Sequence, residues 1–383
     1  MKKTVQSHGL RQLFLHNRRW LAVVVIVTAI VGATAMWALR GKKTALHVAS
    51  QFKTSDYPIG IVGTQDQGYV LTAAGQVFAL RGWTSQSEGV ELEDSPTSLT
   101  LSTSGKYLLV AGQRLTLLDD ALRQKWSRKT TAPSVVEQAV FTVAGGVAVV
   151  YSFLQDQSRQ FVTYDIAGKY MGGYTVPDFG RGSQISLARS GMLVVTLAGG
   201  TIYTISPQGK VIAKFTVPNP DQKLAGLLTA VDESSTRILA GYGRSVSGAP
   251  GPLPRYLFDQ TGTEIAQTTS TSDNPGLRAL GSCFLTFGRT AEIFDKDGKQ
   301  LLSASKLNFN AIDASMSNGE CALLFQEQTT SQTAVYFLGI YDMETRALVR
   351  QWSTAESDEV RVFQLPGMRS VLALGTGLFI LTP

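Results

Sequence analysis

Histidine is nearly absent: His8, His16 and His47 are the only three, so everything after residue 47 lacks an imidazole. That removes Ser–His–Asp triads, Cys–His dyads and the usual zinc and copper ligand sets from the bulk of the chain. Cysteine is almost as scarce. Cys283 and Cys321 stand alone, with no CxxC spacing, inside the apolar runs SCFLTFG and ECALLFQ. Two readings of them stay open, a pair of buried thiols or a bridge in an oxidising compartment. No N-x-S/T sequon occurs. Only 17% of residues are charged, and the first 55 contain no acid at all. Those 55 residues hold nine of the 35 Lys and Arg, which leaves 26 basic against 29 acidic residues from Asp56 onward. The net charge of +6 therefore belongs to the N-terminal segment, and the mildly acidic remainder weighs against nucleic-acid binding by it.

What the sequence has in quantity is a repeated phrase: an apolar strand, an Asp, a turn, a basic residue and a second strand. It reads FVTYDIAGKYMGG (161–173), IYTISPQGKVIAK (202–214), RYLFDQTGTEIAQ (255–267) and AEIFDKDGKQLLS (291–303), with looser copies at 115–126 and 338–349. The Asp carboxylate (Ser206 in one copy) accepts from turn amides, and the Gly three residues on tolerates positive φ, so each copy is a β-hairpin. Asp119, Asp165, Ser206, Asp259, Asp295 and Asp342 stand 46, 41, 53, 36 and 47 residues apart. A period near 45 with strand alternation predicts an all-β propeller of seven or eight four-stranded blades, eight being the preferred count. The last unit supplies three strands, so the segment 45–52 is expected to close the ring as its fourth.

Ahead of that domain, 1–19 reads as a basic tail, 20–39 as a transmembrane helix and 40–44 as a short linker to the propeller at 45–383. Residues 20–39 carry no charge, and at ~1.5 Å per residue they match a hydrocarbon core of about 30 Å. Trp20 and Trp37 sit at the ends, flanked by Arg18, Arg19, Arg40, Lys42 and Lys43. Ala33-Thr34-Ala35 imitates a signal-peptide cleavage site, but the apolar run continues past it to Leu39. The expected topology places the N-terminus in the cytoplasm and the propeller outside it, with the lipid bilayer contacted through 20–39.

No motif for chemistry survives inspection. Asp295 and Asp297 in FDKDGK are a fragment of a calcium loop without its remaining ligands, and the turn role accounts for them. GRSVS at Ser245 lacks the second Gly of a nucleophile elbow. Trp126 and Trp352 fall in fourth strands, where packing explains them. Neither a cofactor nor a metal is expected. The long b–c connections, at 154–160, 241–255 and 326–334, are the natural binding candidates. Within the Gly- and Pro-rich one, Arg244, Ser245, Pro250, Pro252, Pro254 and Arg255 are the candidate interaction residues, on an irregular loop.

The repeat, with Trp in some fourth strands, resembles that of the pyrroloquinoline-quinone-type, or quinoprotein-like, propellers and their WD-repeat-like relatives, over roughly 57–383. That group includes dehydrogenases and non-enzymatic scaffolds, among them the lipoprotein of the bacterial outer-membrane assembly machinery. The chain has no adjacent-cysteine pair like the enzymes and no lipobox Cys like the lipoprotein. The resemblance implies a non-enzymatic scaffold for other membrane or cell-envelope proteins. Two other readings remain: a sensor or carrier with a ligand in the channel, and a quinoprotein-like enzyme.

Overall fold

The computed structural model describes residues 44–383 apart from 131–133, 177–178, 181, 220–223, 235, 246–252, 271–275, 318, 329–333, 357–359, 366–368, 375–376 and 383. The compact unit is Ala45–Pro383. Every regular element among the described residues is a strand. None of those residues forms a helix long and apolar enough to cross a membrane, and the stretch 20–39 lies outside them.

Strands pair antiparallel into eight sheets, one for each unit of the repeat. Numbered as blades in chain order, they span 58–91, 96–129, 134–176, 184–216, 224–270, 276–305, 309–356 and 360–382. Within each blade the strands, labelled a to d, run outward in sequence order. Blade 3 is representative: Ser134–Phe141, Val147–Phe153, Arg159–Tyr164 and Tyr170–Val176. Blade 8 takes its d strand from the start of the domain. His47–Lys53 lies against Gly377–Thr382, with His47 opposite Thr382 and Lys53 opposite Gly377. This is the closing segment expected at 45–52, displaced by two residues at its start. Strand Val360–Leu365 of blade 8 packs against both Phe309–Ser317 of blade 7 and Pro58–Gly63 of blade 1, so the ring is complete.

The sheets are held by what lies between them. Eight apolar clusters occupy the eight gaps. The gap across the seam, for example, joins Val371, Ala373, Leu378 and Ile380 of blade 8 to Ile61, Val70, Phe78 and Leu80 of blade 1. Side chains alternate along a strand, so each blade presents one apolar face forward and one backward, and neither can be covered by the blade alone.

The repeat phrase forms the c–d turn. Asp165 accepts from the Lys169 amide at 2.7 Å, Asp259 from Thr263 at 3.0 Å and Asp295 from Lys299 at 2.8 Å. Ser206 does the same with Lys210 at 3.2 Å. The Gly three residues on adopts φ near +80° in Gly168, Gly209, Gly262 and Gly298. It also has a second duty. A Cβ on Gly209 would lie 2.1 Å from the Gly173 carbonyl of the preceding blade, and one on Gly262 would lie 2.5 Å from Phe215. One on Gly168 would meet Trp126 at 3.3 Å. Each turn is thus wedged against the d strand of the blade before it. Trp126 adds a bond from its indole N–H to the Ile166 carbonyl at 2.9 Å, a packing role as its position suggested.

The outer position of blade 1 is split into Ser85–Gln86 and Val90–Glu91, both paired to Gln76–Arg81. The interruption admits Trp83, 2% exposed, which lies against Gly63 and Gly68. Cys283 and Cys321 are free, buried thiols in one cluster between blades 6 and 7. Burial raises both pKa values, Cys321 to about 12.

Candidate functional site

The loop singled out in the sequence is largely strand. Arg237–Ser245 carries blade 5's b strand to Ser245, with Arg244 opposite Ala225 and Ser245 opposite Leu224. The c strand begins at Leu253, so Pro254 sits within it opposite Thr269, near a strand start where proline is tolerated. Pro250 and Pro252 lie outside the described residues.

Arg255 is a clear correction. It is 1% exposed and points between blades 5 and 6 rather than to solvent. Its Nη1 donates to the Tyr242 carbonyl at 2.7 Å and to its neighbour Pro254 at 3.1 Å, and its side chain fills the space beside Gly241. Across the gap stands Glu292, also buried, whose Oε2 accepts from Ser270 at 2.7 Å and from Thr286 at 3.2 Å. Burial lowers the Arg255 pKa to about 10, and the Glu292 carboxylate opposes that fall. The residue is a buried structural cation, held through the Tyr242 and Pro254 carbonyls with its Nε and Nη2 unpartnered, and not a docking group.

The central channel is lined by a strands. Between blades 3 and 6 an open space of about 380 Å³ is bordered by Gln138, Ser186, Thr229 and Arg278 among others. These polar groups face inward but are engaged across blade boundaries. Gln138 donates to the Ile185 carbonyl at 3.0 Å and accepts from the Leu187 amide at 3.1 Å. Ser186 reaches the Thr229 carbonyl at 3.4 Å. Arg278 pairs with Asp313 at 2.8 Å, and Asp313 accepts from the Val362 amide of blade 8 at 3.1 Å. The polar lining is a belt that ties inner strands together.

The feature that resembles a binding site lies elsewhere. On the face carrying the a–b and c–d turns, blades 3 and 4 enclose a recess of about 390 Å³. Its walls are the a–b turn of blade 3 (Thr142, Gly145, Gly146), the c–d turn of blade 3 (Tyr164, Asp165, Ile166), and Ser190, Pro207 and Gln208 of blade 4, with Met171 at the rim. Local chemistry makes these turns rigid. Thr142 accepts from the Gly146 amide at 2.9 Å, Val143 donates its amide to the Arg189 carbonyl at 2.8 Å, and Thr163 donates its hydroxyl to the Pro207 carbonyl at 2.8 Å. Beneath, the Tyr151 and Tyr164 hydroxyls meet at 3.2 Å, and burial drives the Tyr151 pKa upward.

Met171 of the lining is 61% exposed, and Val143, 72% exposed, stands on the a–b turn beside it; Tyr170, Val211 and Ile212 are exposed on the d strands of blades 3 and 4. Single exposed apolar residues need no explanation, but a cluster beside a concavity does. Sequence inspection missed it. The available signal was Tyr170-Met171 directly after a turn Lys, and Val143 within the turn TVAGG.

The sequence matches no protein-family model and no curated protein. Solved structures share the fold. The C-terminal WD40 domain of Sif2 superposes with a TM-score of 0.66 at 10% identity, covering 90% of this chain and 99% of that one. A computationally designed protein, Ika8, gives 0.62 at 12% identity, with 86% and 98% covered. BamB from Moraxella catarrhalis gives 0.56 at 15% identity, with 89% and 98% covered. The chain is a β-propeller with WD40-like and BamB-like structural neighbours. At these identities the likeness establishes the fold.

Proposed function

We propose that this protein is a non-enzymatic scaffold, held to a membrane by residues 20–39, that presents a rigid propeller to partner proteins of a membrane or envelope complex. The observation that carries the reading is the recess between blades 3 and 4. A preformed concavity with an exposed apolar rim, built on turns fixed by hydrogen bonds, is the anatomy of a docking surface. The scarcity of nucleophile and base pairs in the sequence fits recognition better than catalysis. The anchoring part rests on the uncharged twenty-residue run and its basic flanks.

The two parts are tested separately. Purification of the full-length protein from its native membrane in mild detergent should bring stoichiometric partners, and Met171→Glu should release them while leaving the circular dichroism and melting temperature unchanged. Partners retained by Met171→Glu would remove the recess from the reading. Resistance of the full-length chain to alkaline carbonate extraction, lost on deleting 20–39, is expected for the anchor. A wild-type chain released by carbonate would refute it.

A further inference from the structure

We infer that the recess between blades 3 and 4 receives a short segment of another protein carrying one bulky apolar side chain flanked by acidic residues. This rests on the docking reading above. Shape argues for a knob. About 390 Å³ between four turns admits a large side chain and the start of its backbone. Charge argues for acid. From Asp56 onward the chain has 26 basic and 29 acidic residues, yet the turns bounding this recess carry a local cationic excess. Lys169 and Lys210 are exposed on the two c–d turns, one following Gly168 and the other Gly209. Arg128 lies over the Tyr164 ring at 5.0 Å and donates to the Gly168 carbonyl. Arg189 flanks Ser190 on the blade 4 a–b turn, 3.7 Å from Glu233.

Two acids lie beside them, one of them within the lining. Asp165 accepts the Lys169 amide at 2.7 Å to shape its own turn, and Glu233 faces Arg189. Four cations therefore stand on or against the turns that bound the opening, Arg128 and Arg189 already engaged and Lys169 and Lys210 exposed, while the lining itself carries one charged residue, Asp165. Such a rim steers an oppositely charged ligand and fixes its register, while the apolar centre supplies the attachment. In these two hairpins the turn Lys donates its backbone amide, and its side chain is exposed.

The test places a benzophenone photo-crosslinking amino acid at position 171 of the full-length chain in its native membrane, with the same label at exposed Leu154, on the opposite face, as control. Crosslinked peptides are sequenced by mass spectrometry. The expected result is a protein adduct at 171 and not at 154, mapping to a segment with a bulky apolar residue among Asp and Glu. The yield should fall about tenfold in Lys169→Glu/Lys210→Glu. A protein adduct on a segment without acids, undiminished by the double reversal, overturns this inference and leaves the docking reading standing. Adducts to lipid alone, or no adduct, overturn both.

Discussion

At the scale of the residue, the turn glycines do two jobs that can be separated by substitution. Gly209 and Gly298 share positive φ, at +78° and +81°, so alanine is strained at either. They differ in what a methyl would strike: the Gly173 backbone at 2.1 Å against the Ala266 side chain at 3.2 Å. Gly298→Ala should cost about 1 kcal/mol and Gly209→Ala about 3 kcal/mol or more in urea denaturation, because backbone cannot yield as a side chain can. Equal losses would mean that backbone strain alone accounts for both. Asp119 is a second residue-level case. Burial opposes its ionisation, but the Arg123 amide, then the Lys125 and Arg123 side chains, outweigh that and hold its pKa at about 2, below the ordinary 3.8. A depressed carboxylate pKa stabilises fully above the unfolded value and loses its contribution as pH falls through the folded one. Asp119→Asn should therefore cost about 1 kcal/mol at pH 7, with the gap to wild type closing between pH 4 and 2. A gap that stayed constant over that range would assign the loss to packing.

At the scale of the element, Arg255 and Glu292 are opposite charges buried at one blade boundary, with Glu292 acting on Arg255 through its field. Removing one leaves the other buried and uncompensated; removing both for apolar groups need not. Arg255→Leu is predicted to destabilise by about 3–5 kcal/mol, and Arg255→Leu/Glu292→Leu by much less, as read by calorimetric melting. A double variant as damaged as the single would show that the Ser270 and Thr286 hydroxyls, not the charge, are the problem. The same elements explain what could be read in advance. The Asp-x-x-Gly turn was legible because its hydrogen bonds close within five residues. The strand ends at 244–245 and 253–254 were not, since Gly and Pro nearby signal irregular backbone while the neighbouring strands impose a ladder. Arg255 was misplaced for the same reason: a charged residue beside prolines looks exposed until the strand's alternation turns it inward. The recess was invisible because its walls come from turns about 45 residues apart in sequence, and each turn alone is ordinary.

At the scale of the whole molecule, the closing strand decides whether the ring holds. His47–Lys53 covers the edge of Gly377–Thr382, while Leu46 is buried against blade 7 and donates its amide to the Gln351 carbonyl at 3.4 Å. A variant beginning at residue 54 would expose an edge strand and one apolar gap. It is expected to melt at lower temperature, to lose amide protection first across 377–382, and to self-associate in light scattering. Retained protection there would mean that three strands suffice for the last blade.

That seam also sets an order of events in time. The segment that completes the ring is among the first parts of the domain to leave the ribosome, and its mate is among the last. Throughout synthesis the early strand has no partner to pair with, and the seven earlier blades accumulate as an open arc with apolar flanks at both ends. Closure is thus a single late step joining the two ends of the domain. Until it happens, the unpaired edge of the last blade is open to a neighbour's closing strand, and ring completion removes that edge.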